Sequence, residues 1–118
     1  MDVFAKIFST RGRLSRGLHA KYHSLWLVLN MLAGFTSSFF AAFLTGTNDL
    51  GYTIAGILFY IWLIGALMVS ARRLHDLGWD GRFALALLIP GVGVLLAVYL
   101  FGAAGQVGAN KYGEASEN

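Results

Sequence analysis

The sequence of 118 residues contains no cysteine and only one proline. The absence of cysteine excludes a disulfide framework, a Cys-ligated zinc site and a thiol nucleophile. Charged residues are also scarce, at 13% of the chain, whereas a typical soluble domain has about 25%. Hydrophobic residues reach 57%, more than so small a domain can remove from water on folding. The composition therefore predicts a membrane protein.

Charge is absent altogether from three apolar runs, which contain no Asp, Glu, Lys, Arg or His: 25–45, 52–71 and 83–101. Each run has the length of about 20 residues that an α-helix needs to cross a bilayer. We therefore predict an all-α integral membrane protein with three transmembrane helices in a single membrane domain, 1–118. The alternative, a soluble protein with three buried helices, would have too little polar sequence to cover them.

The basic residues are distributed unevenly among the segments that join the runs. Eight of the nine Lys and Arg residues lie in two segments, 1–24 and 72–82. The loop 46–51 has none, and the tail 102–118 has only Lys111. Because Lys and Arg near the span ends stay in the cytoplasm, we expect segments 1–24 and 72–82 to be cytoplasmic in a bacterial inner membrane. The loop 46–51 and the tail would then face outward, into the periplasm.

Three features of the runs predict how the helices bend and meet. Pro90, followed by Gly91 and Gly93, predicts a kink in the third helix. Asn30 is expected to bond to a neighbouring helix or to a lipid headgroup. Small residues at four-residue spacing allow close helix contact in membranes, and the first run carries two such ridges: Ala33, Ser37 and Ala41, beside Gly34, Ser38, Ala42 and Gly46.

The segment between the second and third runs reads RRLHDLGWDGR, residues 72–82. We predict a short cytoplasmic hairpin loop here, with Gly78 and Gly81 supplying the backbone freedom of the turn. On a helix extended by one turn, Arg72 and Asp76 form an i,i+4 pair.

Three interpretations of this loop remain open. In the first, Arg72, Arg73 and Arg82 are anchors that hold lipid phosphates. In the second, Asp76 bonds His75 or an arginine in a structural network that reaches the N-terminal GRLSR segment. In the third, the loop forms a catalytic His–Asp site, or a metal site to which His19 and His23 also contribute; no firm fourth metal ligand is evident.

Several short motifs resemble the YhaH-like family of small bacterial inner-membrane proteins, grouped as domain of unknown function 805. They occur in the expected order along nearly the whole chain: Gly12, Arg13 and Arg16; Arg73, Leu74, His75, Asp76 and Gly78; Ile89 and Pro90; Gly108, Asn110, Lys111, Tyr112 and Gly113. The resemblance implies an inner-membrane location and a few spans, and it implies no established activity. The candidate motif or interaction residues are Arg13, Arg16, Arg72, Arg73, His75, Asp76, Gly78 and Asn110.

These observations favour a membrane protein that acts by interaction, as a scaffold or lipid-organising module, rather than an enzyme. Charged residues that mark ion and substrate pathways are missing from the runs, and no cofactor, metal or nucleic-acid motif is evident. The expected partners are anionic lipid headgroups at the cytoplasmic face and a second copy of the chain or another membrane protein. The alternatives are an oligomeric transporter or channel component and a membrane-surface enzyme that uses His75 and Asp76.

Overall fold

The computed structural model of the chain describes residues 7–114, in which all regular structure is helical. The order is α1 (Arg16–Thr45), α2 (Asp49–Asp76), a 3-10 helix (Gly81–Leu88) and α3 (Val92–Gly102). Residues 1–6 and 115–118 lie outside the described range, and with them Lys6 of the predicted basic N-terminal segment.

Helices α1 and α2 have well-defined ends and form an antiparallel pair. The side chain of Ser15 caps α1 by accepting a hydrogen bond from the amide of Leu18, at 3.3 Å. The helix ends at Gly46, whose φ of 73° is the left-handed conformation that glycine adopts readily. At 30 and 28 residues, the two helices are about 45 and 42 Å long.

Both helices are long and apolar enough to cross a membrane. Their surface supports a lipid environment, because large apolar side chains of α1 point outward: Phe35, Phe39 and Phe43 are 72%, 68% and 77% exposed. Contiguous apolar surface on this scale is rare in soluble monomers. The first two predicted spans therefore correspond to helices of a membrane protein.

Polar side chains and small residues join α1 to α2. The amide of Asn30 donates to the carbonyl of Leu58 at 2.7 Å, which confirms that Asn30 bonds to the neighbouring helix. Near the 46–51 loop, the hydroxyl of Ser38 donates to the carbonyl of Gly51 at 3.2 Å. Ala41 is buried, whereas Ala33 on the same ridge is exposed. The predicted small-residue face is thus only partly used within the chain.

The third apolar run does not form a single helix, so the predicted span 83–101 with a Pro kink is not what the structure shows. The 3-10 helix stops before Ile89, which is extended at ψ 119° because a following proline disfavours the helical conformation. Gly91 then adopts φ 81°, and the chain reverses direction. Gly93 packs so closely on the carbonyl of Leu87 that an added Cβ would overlap it.

The result is a short hairpin, residues 81–102, which we call the apolar hairpin. Its arms are matched in length, because eight 3-10 residues and eleven α-helical residues each span about 16 Å. The two ends of the hairpin, residues 81 and 102, lie beside the C-terminal turns of α2. At the start of the first arm, a Cβ on Gly81 would lie 2.8 Å from Nε2 of His75. At the end of the second, the carbonyl of Leu100 accepts a hydrogen bond from Arg73 at 2.8 Å.

The tail after α3 therefore lies at the same end of the molecule as the N-terminal segment. The predicted placement of the tail on the opposite face is incompatible with its contacts: the amide of Gln106 donates to the carbonyl of Asp76 at 2.8 Å. The prediction of an outward-facing tail counted the run 83–101 as one complete crossing, whereas the structure divides this run into two helices.

The core is concentrated at this end. One cluster of buried residues joins the N-terminal segment to both long helices and comprises Ile7, Leu14, Tyr22, Trp26 and Val69. A second cluster joins α2 to the apolar hairpin and comprises Ala71, Leu74, Leu77, Ala84 and Leu100. The backbone adds a further link, since the amide of Leu14 donates to the carbonyl of Arg72 at 3.1 Å. The buried residues are thus concentrated where the N-terminal segment, the end of α2 and the apolar hairpin meet.

Candidate functional site

The centre of this convergence is the carboxylate of Asp76, in the last turn of α2. Oδ1 pairs with Arg13 of the N-terminal segment at 3.0 Å, and Oδ2 pairs with Arg73, three residues earlier on α2, at 2.6 Å. All three residues are buried, at 5% exposure or less. We call them the Arg13–Asp76–Arg73 cluster. Two guanidinium groups around one carboxylate leave an excess positive charge, which backbone carbonyls surround.

Arg13 links the N-terminal segment to the tail. Besides the bond from Nε to Asp76, its guanidinium donates to three tail carbonyls, those of Gln106, Gly108 and Gly113. The planar fork of five donors on arginine allows one side chain to make this set of bonds, which the single ammonium group of lysine could not reproduce.

Arg73 likewise donates hydrogen bonds to backbone carbonyls, here those at the end of α3. Its Nε donates to the carbonyl of Leu100 at 2.8 Å, and Nη2 donates to the carbonyl of Ala103. Arg16 adds a bond from Nη1 to the carbonyl of Gly102 at 3.1 Å. The last carbonyls of a helix have no partner within the helix and carry partial negative charge. The two arginines satisfy these carbonyls and fix the second arm of the apolar hairpin to α1 and α2.

His75 faces the N-terminal segment and the tail rather than the carboxylate of Asp76. Its Nδ1 donates to the carbonyl of Gly12 at 2.9 Å. Its ring stacks on Tyr112, with centroids 4.0 Å apart and planes 8° from parallel. His75, the residue before Asp76 on α2, thus contacts both the N-terminal segment and the tail, the two segments that Arg13 also links.

Asn110 closes the tail onto the end of α2. Its Nδ2 donates to the carbonyl of His75 at 2.9 Å and to Oε1 of Gln106 at 2.8 Å, while Oδ1 accepts from the amide of Tyr112. Gly78, at φ 81°, forms the turn after α2, and an added Cβ there would overlap the side chain of Gln106.

Gly105 packs even more closely, because a Cβ at this position would overlap Oδ2 of Asp76. Sequence reasoning did not single out Gly105 or Gln106. Their importance comes from backbone groups and from lack of space, neither of which a residue pattern displays.

Of the remaining candidates, Arg72 and Arg82 lie outside the cluster. Arg72 is half-buried, and its carbonyl holds the amide of Leu14. Arg82 forms an exposed ion pair with Asp80 at 3.0 Å. Hydrogen bonds from the Arg82 side chain hold the pKa of the Asp80 carboxyl below its ordinary value. Asp80 also caps the 3-10 helix, since Oδ1 accepts from the amide of Arg82 at 2.9 Å.

The three histidines His19, His23 and His75, which one interpretation of the sequence combined in a metal site, do not form a single group. His19 and His23 contact each other on α1, with ring centroids 5.2 Å apart, whereas His75 is bonded to Gly12. Within residues 7–114, no group of three or more His, Cys, Asp or Glu side chains is placed to hold a metal ion. Asp76 has both oxygens engaged by arginine. Chemically, this arrangement fastens chain segments together.

Basic side chains surround the cluster on the surface. Eight of the nine Lys and Arg residues fall in the described range, and they all lie at the end of the molecule that holds the cluster. Five of them are exposed: Arg11, Arg16, Lys21, Arg82 and Lys111. The opposite end, at the 46–51 loop, presents Asp49 and no basic residue.

A family described as "Protein of unknown function (DUF805)" matches residues 7–114. This chain belongs to the DUF805 family. The match extends over the N-terminal arginines, the end of α2 and the tail, so the family region includes every segment of the Arg13–Asp76–Arg73 cluster. Neither the curated proteins nor the solved structures contain a match to the chain.

Proposed function

We propose that this DUF805 protein is a lipid-organising module of the bacterial inner membrane, which gathers anionic phospholipid at its cytoplasmic end. The observation that carries the proposal is the common location of the tail, the N-terminal segment and the segment 72–82, which comprises the last turn of α2 and the turn after it. This arrangement collects the exposed cations on one end of a molecule that has two helices able to span the bilayer.

The distribution of charge supports the cytoplasmic assignment. With the tail on the N-terminal side, Lys111 joins the other basic residues, and the 46–51 loop contributes none. Such a one-sided distribution is what the positive-inside rule associates with the cytoplasm. Each Lys or Arg close to the surface of an anionic leaflet contributes about 1 kcal/mol of attraction.

The apolar hairpin supports the lipid assignment. Its arms of about 16 Å are half the roughly 30 Å thickness of the hydrocarbon core, so they fit a single leaflet. Exposed apolar residues lie along both arms, including Leu85, Leu88, Val94 and Leu95. A hairpin of this depth would enter the cytoplasmic leaflet and return, directly below the basic residues.

The test is lipid selectivity after reconstitution into bilayers that contain phosphatidylglycerol and phosphatidylcholine. Spin-labelled forms of each lipid report the fraction held at the protein surface. For wild type, we expect preferential association of phosphatidylglycerol that weakens with added salt. Replacing Arg11, Lys21 and Lys111 with Gln removes three exposed charges and should lower this preference by at least about fivefold, given the attraction of each cation.

The matched control places three substitutions at the opposite end of the molecule: Thr47→Gln, Asn48→Gln and Asp49→Asn. This variant should retain the preference of wild type in the leaflet that contacts the basic end. Equal association of the two lipids with the wild-type protein would refute the proposed function.

A further inference from the structure

A groove of about 420 Å³ runs between the arms of the apolar hairpin. Its volume is within the range of about 300–1,000 Å³ that is typical of small-ligand sites. The groove is lined almost entirely by apolar atoms of α2, the turn after it and both arms: Leu74, Trp79, Phe83, Ala86, Val92, Leu96 and Tyr99. We call it the hairpin groove.

The two lining side chains that carry a polar group lie at one end of the groove, which we call its mouth. Trp79 and Tyr99 lie at the end of the groove near α2, where the indole and phenol combine an apolar ring with a polar group. Such side chains are enriched at the level of lipid headgroups. Val92 lies at the opposite end, beside the turn of the hairpin. The groove is therefore oriented as a phospholipid is, with its polar end at the basic face.

A cationic side chain lies beside the mouth. Phe83 lines the hairpin groove and also the adjoining surface depression, which is formed with Asp80 and Arg82. Trp79 packs edge-on against Phe83, with centroids 5.5 Å apart. The side chain of Arg82 is 88% exposed, and its bonds to Asp80 come from Nε and Nη2. A guanidinium has five donors, so donors remain to bind a phosphate oxygen at this position.

We propose that the hairpin groove binds one acyl chain of an anionic phospholipid, with the phosphate held beside Arg82. This inference rests on the proposed function, because it names a lipid and a position for the same basic end. The size of the groove favours a hydrocarbon chain over a helix of a second copy. A helix about 10 Å wide and 16 Å long occupies on the order of 1,200 Å³, well above the volume of the groove.

The experiment counts lipids that remain bound to the protein released from bilayers of phosphatidylglycerol and phosphatidylcholine, by mass spectrometry of the intact complex. Wild type should retain one phosphatidylglycerol per chain. Ala86→Trp fills the groove from the first arm, and Val92→Trp fills it from the second. Each should lower the retained fraction at least fivefold.

The matched control is Leu85→Trp, which places the same side chain on the same arm but at a position 59% exposed outside the groove lining. It should retain lipid as wild type does. Thermal unfolding followed by circular dichroism identifies a blocking variant that fails to fold. If one variant fails, the lipid retained by the variant on the other arm tests the inference.

Retention of lipid by both folded blocking variants would overturn the inference, as would a wild-type protein released without lipid, with phosphatidylcholine in equal amount, or as a lipid-free dimer. Failure of the inference is distinguishable from failure of the proposed function. If the groove variants have no effect but the Arg11, Lys21 and Lys111 variant still loses its preference for phosphatidylglycerol, only the groove assignment is wrong.

Discussion

Arg13 and Asp76, 63 residues apart in the sequence, form a buried salt bridge of 3.0 Å. The bond ties the N-terminal segment to the last turn of α2. Because the same guanidinium also binds carbonyls of the tail, a single arginine connects three segments that are distant along the chain. The cluster is therefore expected to have its main effect on stability and on the position of the tail.

Arg13→Ala should destabilise the protein by about 3 kcal/mol, since removing one partner of a buried ion pair leaves the other charge and several carbonyls unsatisfied. Arg13→Lys should restore only a minor part of this loss, because lysine cannot make the forked set of bonds. The measurement is denaturant unfolding in detergent micelles. Arg11→Ala, an exposed arginine two residues away, should change stability by less than about 0.5 kcal/mol. Equal effects of Arg11→Ala and Arg13→Ala would contradict the assigned role.

Gly105→Ala should detach the tail, since the added methyl group would overlap the carboxylate of Asp76. We expect hydrogen exchange at the amide of Gln106, which is bonded to the carbonyl of Asp76, to accelerate by at least about tenfold, the equivalent of 1.4 kcal/mol. Gly102→Ala is the control, because no atom lies within 4 Å of a Cβ at that position. Unchanged exchange in Gly105→Ala would show that the tail does not pack on Asp76.

Gly93→Ala should disrupt the apolar hairpin, because the Cβ would overlap the backbone carbonyl of Leu87. A backbone atom cannot move aside as a flexible side chain can, so we expect a loss of at least about 1–3 kcal/mol, as for overpacking in a core. Gly56→Ala provides the comparison, since Gly56 lies within α2 with open space around it. That change should stabilise the helix by about 0.5–1 kcal/mol. Thermal unfolding in micelles measures both. A Gly93→Ala protein as stable as wild type would contradict the hairpin.

The sequence predicted the two long helices and the concentration of basic residues correctly, because length, apolarity and charge are local properties. The sequence also suggested that Asp76 could bond an arginine in a network that reaches the GRLSR segment. Asp76 does bond Arg13 of that segment. The third run was misread because its length and apolarity fit one spanning helix as well as two arms of half the length. Pro90, Gly91 and Gly93 predict a bend in this run, yet the reversal of the chain depends on the close approach of Gly93 to Leu87.

The position of the tail could not be read from its residues. Asn110 and its neighbours carry a recognisable motif, but the tail is placed largely by hydrogen bonds from Arg13 to the backbone carbonyls of Gln106, Gly108 and Gly113. Every residue type has such a carbonyl, so no pattern marks them. One lysine in the tail also gave too little charge to indicate which side of the membrane it occupies.

The most direct test of the account is the side of the membrane on which residue 114 lies. The natural chain has no cysteine, so Thr47→Cys and Glu114→Cys each introduce a single thiol, at exposed positions at opposite ends of the molecule. In intact cells, a membrane-impermeant maleimide should label Thr47→Cys at once and should label Glu114→Cys only after the membrane is permeabilised. Labelling of Glu114→Cys in intact cells, with a folded protein, would mean that the third run crosses the bilayer, and it would contradict both the apolar hairpin and the lipid-binding role built on it.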